Sequence, residues 1–301
     1  MRRVTAVMTA LVLLVLAGCS GAPEDEDPRP VVLTTFTVLA DIARNVAGDR
    51  LRVESITKVG AEIHGYEPTP RDVGNASDAD LILDNGLGLE AWFERFVAEA
   101  DVPHVVLTDG IDPIDIASDA YAGRPNPHAW MSPLNVVAYV EIMVEAFSEL
   151  DPDGADTYEA NGSAYAGELR AVHDDLVTAL ETVPADQRVL VTCEGAFSYL
   201  ARDAGLTEAY IWPVNAEQQA TPSQITAAIE IVSTREVPAV FCESTVSDGP
   251  MQQVVEATGA SFGGTLYVDS LSDADGPVPT YLDLIGYDVD LIVAGLTGGA
   301  A

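Results

Sequence analysis

Positive charge is scarce in this chain. Its 301 residues include 14 Lys and Arg against 48 Asp and Glu, a formal net charge of −34, and Lys58 is its one lysine. Nucleic-acid binding needs a basic face that displaces counterions from phosphates, and this composition argues against one. Attachment to anionic lipid through a basic patch is disfavoured for the same reason. The excess of acid reads as a solvated surface suited to high or variable ionic strength. Enzyme signatures are missing too: there is no Gly-x-Ser-x-Gly elbow, phosphate loop or dinucleotide fingerprint. Histidine is rare, with four residues, so each can be weighed singly. Beyond the amino terminus no segment is long and apolar enough to cross a bilayer.

What is present is 48% hydrophobic, enough to form real cores, on a length that fits about two domains at roughly 150 residues each. Arg2 and Arg3 precede an apolar run from Val4 to Leu16, which is shorter than the roughly 20 residues of a spanning helix and reads as a signal peptide over residues 1–18. It ends in Leu16-Ala17-Gly18-Cys19, which resembles the bacterial lipobox. That resemblance implies lipidation of Cys19, with anchoring to the outer face of a membrane through more than one acyl chain. Residues 19–30, with the acidic, proline-rich SGAPEDEDPRP, form a solvated tether.

From Val31 onward short apolar strands alternate with helices, the grammar of βα units and a parallel sheet. Strands are expected at Val31 to Phe36, Leu51 to Lys58, Ala79 to Leu83 and His104 to Thr108, with helical stretches at Val38 to Ala47 and Leu89 to Ala100. A proline-free stretch from Asp156 to Thr182 then carries Tyr158, Gly162, Tyr165, Leu169, Val172, Leu176 and Ala179 at steps of three and four, one face of a long helix. Alternation resumes with strands at Arg188 to Cys193, Ala209 to Trp212, Ala239 to Cys242 and Thr265 to Val268. Helices are expected at Gly195 to Ala204, Pro222 to Arg235, Gly249 to Thr258 and Pro279 to Leu296. The fold class is therefore α/β: a lobe over 31–150, a linking helix over 151–184 and a second lobe over 185–301. Thr69-Pro70, Ser132-Pro133 and Thr221-Pro222 each place a hydroxyl cap before proline, with a side chain able to fold back on the cap at the third position.

Two histidines sit in unusual loops close to capped helix starts: His64 in GAEIHGYEPTP and His128 in RPNPHAWMSP. His104 and His173 read as strand and helix residues with incidental roles. Among the acids, Glu194 and Asp269 directly follow expected strands, where ligands collect in open α/β sheets. Two imidazoles and two carboxylates would give a divalent ion four donors and balance its charge. On residue type alone, lone loop histidines and helix-capping acids remain alternative readings.

The stretches HGYEPTPRDV (64–73), NPHAWMSPLN (126–135), CEGAFSYLARDAGL (193–206), YIWPVNAEQQATPSQI (210–225), FCESTVSDGPM (241–251) and YVDSL (267–271) resemble the TroA-like metal-binding solute receptors of bacterial ABC importers. That group includes the streptococcal surface-adhesin lipoproteins. The resemblance spans the mature chain and implies two lobes joined by one backbone helix, a metal site in the cleft between them, and His64, His128, Glu194 and Asp269 as its ligands. It also implies delivery to a membrane permease driven by a cytoplasmic ATPase, by a monomeric receptor that is not an enzyme. Zinc receptors of this group commonly have histidine in place of Glu194 and a histidine-rich loop before the second ligand. The second carboxylate and the histidine-free segment from Asp109 to Pro127 therefore point to Mn²⁺, with Zn²⁺ or Fe²⁺ as alternatives. A surface adhesin, or a receptor for a siderophore or cobalamin, is the competing reading. Metal release on acidification is expected through protonation of the histidines at about 6.5. Cys193 is expected to point away from the metal as a buried thiol, with a Cys193–Cys242 disulfide as the alternative.

Overall fold

The computed structural model describes residues 27–93, 102–117, 121–214 and 220–298. The expected signal peptide, Cys19 and residues 19–26 of the tether lie outside it, as do residues 94–100 and 215–219 of two stretches read above. Among the described residues no helix is long and apolar enough to cross a membrane.

The first lobe is built on β1 (Val31–Thr34), β2 (Arg52–Ser55), β3 (Leu81–Asp84) and β4 (His104–Val106), all parallel in the order β2-β1-β3-β4. β1 and β3 are central and almost wholly buried, which is why they read as continuous apolar runs rather than alternating ones. α1 (Thr37–Ala47) packs on one face of this sheet, while α2 (Pro70–Ser77) leads into β3. α3 (Pro133–Leu150) follows a 3₁₀ turn over Ala129–Met131.

α4 (Ala155–Leu180) is the long helix, about 39 Å at 1.5 Å per residue. It buries Tyr158, Gly162, Tyr165, Ala166, Leu169, Leu176 and Leu180, so its apolar face is the expected one, with Val172 and Ala179 at its half-buried margin. A Cβ on Gly162 would stand 2.6 Å from the Val144 side chain of α3, so this glycine sets how closely the two helices approach.

The second lobe contains two parallel ribbons. β5 (Val189–Glu194) pairs with β6 (Thr207–Trp212), and β7 (Ala239–Glu243) pairs with β8 (Ser261–Leu266), with β5 lying beside β7. Around them are α5 (Ser198–Ala204), α6 (Pro222–Arg235), α7 (Gly249–Thr258) and α8 (Tyr281–Thr297). One hydrophobic core runs from Phe36 and Trp130 in the first lobe through Tyr158, Leu169 and Leu176 of α4 to Tyr281, Ile285 and Ile292 of α8. A second fills the space between β5, β6 and β7 and helices α6 and α7.

Three readings are corrected. Cys193 and Cys242 are paired in a disulfide, with Cα atoms 4.8 Å apart, because β5 and β7 are neighbours and each places its cysteine one residue before its end. β8 stops at Leu266, not Val268, so Asp269 is carried by the loop beyond the strand. The hydroxyl caps at Thr69 and Thr221 form complete capping boxes with Asp72 and Gln224. Ser132 receives Asn135 N–H at 3.4 Å, but the Asn135 amide turns instead to the Ala129 carbonyl.

Candidate metal centre

His64 lies in the loop between β2 and α2. The preceding carbonyl, that of Ile63, accepts the Trp92 indole N–H at 3.0 Å, and Glu62 receives the backbone N–H groups of His64 and Gly65 at 2.7 and 2.8 Å. His128 caps the 3₁₀ turn before α3 and is fully buried. Its Nδ1 and its own backbone N–H both meet Asn126 Oδ1, at 2.9 and 3.0 Å. The Asn126 amide nitrogen donates to the Gly195 carbonyl at 2.6 Å and to Ser198 Oγ, which fixes the orientation of the amide and makes Oδ1 the acceptor. Nδ1 of His128 therefore carries the proton, and the Nε2 lone pair is left to face the cleft.

Glu194 is the last residue of β5 and is 1% exposed. The glycine after it is required, because a Cβ at Gly195 would meet the Pro213 carbonyl at 2.7 Å and the Tyr210 ring at 2.8 Å. Asp269 is 2% exposed and accepts Thr245 Oγ1 on its Oδ2 at 3.2 Å, while Oδ1 has no hydrogen-bond partner among the described residues.

All four residues converge. His64 Nε2 stands 3.1 Å from His128 Nε2, 3.6 Å from Glu194 Oε1 and 4.0 Å from Asp269 Oδ1, and His128 Nε2 is 3.7 Å from Glu194 Oε1. Donors held about 2.1 Å from one ion are about 3.4 Å apart at tetrahedral angles, so these spacings suit a single bound cation. His64, His128 and Glu194 form one compact cluster, while Asp269 groups with His64 and Glu62. The electrostatics point the same way. Burial lowers His128 well below the usual imidazole value, with His64 adding to the effect, so its ring stays neutral and able to ligate. Burial raises the Asp269 carboxyl, against an opposing pull from His64. Behind Glu194, Glu243 closes β7 and receives the Glu194 backbone N–H at 3.1 Å; burial pushes its carboxyl up to about 8. Acids kept this dry favour a cation among them.

The other two histidines stand apart. His104 pairs with Asp84 at 3.0 Å, and His173 is half-buried on α4. Two acids near the cluster escaped the sequence reading. Glu243 follows Cys242 at a strand end just as Glu194 follows Cys193, so the signal that found one was available for the other. Glu62 precedes His64 by two in the same loop. Asn126 adjoins the Pro-His dipeptide, but its amide bonds to the second lobe are set by tertiary contact.

The chain is matched by the ZnuA family model, zinc-uptake complex component A, periplasmic, over residues 32–295, and it belongs to that family. Its class is the metal-binding substrate-binding proteins of ABC importers. Among individual relatives, it is 53% identical to the iron-binding protein YfeA of Yersinia pestis over 274 residues, which is 91% of this chain and 88% of that protein. The structure matches the Mn-bound periplasmic metal-binding protein of Candidatus Liberibacter asiaticus with a TM-score of 0.84 at 40% identity, covering 89% of this chain and 100% of that one. It also matches the periplasmic zinc-binding protein TroA of Treponema pallidum with a TM-score of 0.81 at 26% identity, covering 89% and 99%.

Proposed function

We propose that this protein captures one divalent first-row cation between its lobes, through His64, His128, Glu194 and Asp269, and hands it to an ABC permease with its ATPase. The convergence of two imidazole Nε2 atoms and two buried carboxylates carries this reading. The bound ion is cargo, so nothing in the role requires turnover, and the protein is read as a monomeric receptor rather than an enzyme. Lipid on Cys19 would hold it at the extracytoplasmic face of the membrane through the tether at residues 19–30.

Mn²⁺ is the proposed cargo. Two nitrogen and two carboxylate oxygen donors make a harder set than a site with three imidazoles, and hard oxygen ligands suit Mn²⁺. Fe²⁺ is the second reading, favoured by the iron-binding name of the 53% identical relative. Zn²⁺ stands above both in the affinity order, so tight zinc binding in vitro would not identify the cargo.

The test is calorimetric titration of the metal-stripped chain, residues 20–301, with Mn²⁺ and Zn²⁺, and with Fe²⁺ under anaerobic conditions, alongside Glu194→His. One saturable equivalent is expected, with Mn²⁺ binding weakened about tenfold or more in the variant and Zn²⁺ binding retained. A wild-type chain that bound none of the three ions would refute the ligand assignment and revive an organic ligand.

A further inference from the structure

The four-residue reading leaves Glu62 unused, although the fold builds it into the site. A carboxylate oxygen of Glu62, a ring nitrogen of His64 and a carboxylate oxygen of Asp269 all lie within 4.8 Å of one another. Glu62 is half-buried, and each of its oxygens accepts one backbone N–H, from His64 and from Gly65. Those two bonds fix the carboxylate in place and leave acceptor capacity on both oxygens. Across from it, the buried Asp269 Oδ1 has no hydrogen-bond partner among the described residues.

Two clefts adjoin the centre, and their charges differ. One, of about 570 Å³, is lined by His64, Leu87, Tyr121 and Arg124 among others. The other, of about 510 Å³, is lined by Glu62, Thr245, Tyr267, Ser270 and Asp273, and no Lys or Arg is among its described lining residues. Two neighbours of Asp269 line this second cleft: Thr245, which donates to it at 3.2 Å, and Ser270, which follows it in sequence. A dication is drawn toward carboxylates and repelled by a guanidinium, so the approach favours the Glu62 side.

We propose that Glu62, His64 and Asp269 form an outer cation site, occupied by the incoming ion before it settles among His64, His128, Glu194 and Asp269. The inference rests on the metal-receptor reading above. His64 and Asp269 belong to both sets and face each other at 4.0 Å. Moving inward therefore requires the ion only to exchange Glu62 for His128 and Glu194. At no stage is it fully released to water, which lowers the barrier to both capture and release.

Stopped-flow mixing of the metal-stripped protein with Mn²⁺ tests this with Glu62→Gln, which keeps the shape of the side chain. Association and dissociation rates should both fall about tenfold at low salt while Kd stays within about threefold. Unchanged association, or faster dissociation alone, would mean that Glu62 merely shapes the His64 loop and would overturn the proposal. A second arm uses His128→Ala, which disables the inner cluster. Residual Mn²⁺ binding, read by loss of the free-ion electron paramagnetic resonance signal, should persist there and weaken about tenfold or more when Glu62→Gln is added. No residual binding, or residual binding indifferent to Glu62→Gln, overturns the outer site. Wild-type protein in the same experiment separates the two claims: if it binds no Mn²⁺, the receptor reading itself has failed.

Discussion

Asn126 joins the two halves of the proposed metal centre. Its Oδ1 holds the His128 ring through Nδ1, and its amide nitrogen grips the carbonyl of Gly195, the residue after Glu194. Asn126→Ala would free both proposed ligands at once, leaving the His128 tautomer and ring angle unset. Mn²⁺ affinity is expected to drop about 10- to 100-fold, measured by competition with a fluorescent chelator, and Asn126→Asp, which retains the acceptor, should lose much less. Glu243 acts in the opposite direction. Its carboxyl rises from 4.5 to about 8 on burial, so the folded metal-free protein holds a proton there that the unfolded chain releases. Such a group favours the folded state below about 4.5 and progressively less as pH climbs through about 8, by at most about 5 kcal/mol. Glu243→Gln mimics the protonated form. Thermal melts of the metal-free protein should find the variant more stable than wild type at pH 8 and close to it at pH 5. Burial also bears on the acid release expected from sequence: it disfavours protonation of His128, one of the proposed ligands.

At the scale of elements, most of the chain was legible because its signals are local. α6 and α7 begin and end at the expected residues, α6 behind its Thr221 cap, and α4 shows the apolar stripe read from its spacing. Strand positions followed from apolar runs bounded by turns, and Glu194 stood out because it ends one. What escaped depends on which strands become neighbours. That β5 lies beside β7 is a fact of topology, so neither the Cys193–Cys242 bond nor the contact of Glu243 with the Glu194 backbone could be read from spacing. Asp269 was found by a strand thought to reach it, whereas the loop is held by Trp130 and Thr245, two residues far away in sequence. The disulfide closes a separation of 49 residues, and constraining such a loop in the unfolded chain is worth about 4 kcal/mol in the chain-entropy account. Urea unfolding of the metal-free protein should therefore lose about 2–4 kcal/mol in the double variant Cys193→Ala and Cys242→Ala. Thiol titration of the denatured wild-type protein, without reductant, should leave both cysteines unreactive.

Over the whole molecule, the arrangement of bonds between lobes bears on how a metal is gripped and released. On one flank the Trp130 indole donates to the Val268 carbonyl at 3.0 Å, Tyr281 donates its hydroxyl to the Trp130 carbonyl at 2.6 Å, and the Tyr281 backbone N–H reaches Asp41 at 2.8 Å. Leu271 N–H to Thr37 and Gly60 N–H to Ser270 extend this seam. On the other flank Tyr199 donates to the Asn126 carbonyl and Asn126 donates to Gly195. Beneath both flanks the core is continuous through α4, so swinging the lobes apart would break bonds on two sides and expose apolar surface that has no substitute partner. Loop shifts cost far less, because His64 and Asp269 sit on loops, while Glu194 ends a strand and His128 is buried at a helix start. Capture and release should therefore proceed by small movements of the His64 and Asp269 loops against a nearly fixed frame. Small-angle X-ray scattering of the metal-free and Mn²⁺-loaded protein is expected to give radii of gyration that agree within about 1 Å. Hydrogen exchange in the same pair should slow mainly in residues 57–69 and 267–278. A large compaction on loading, with protection spread along α4, would instead mean that the lobes hinge about the helix and that the two seams re-form with each ion bound.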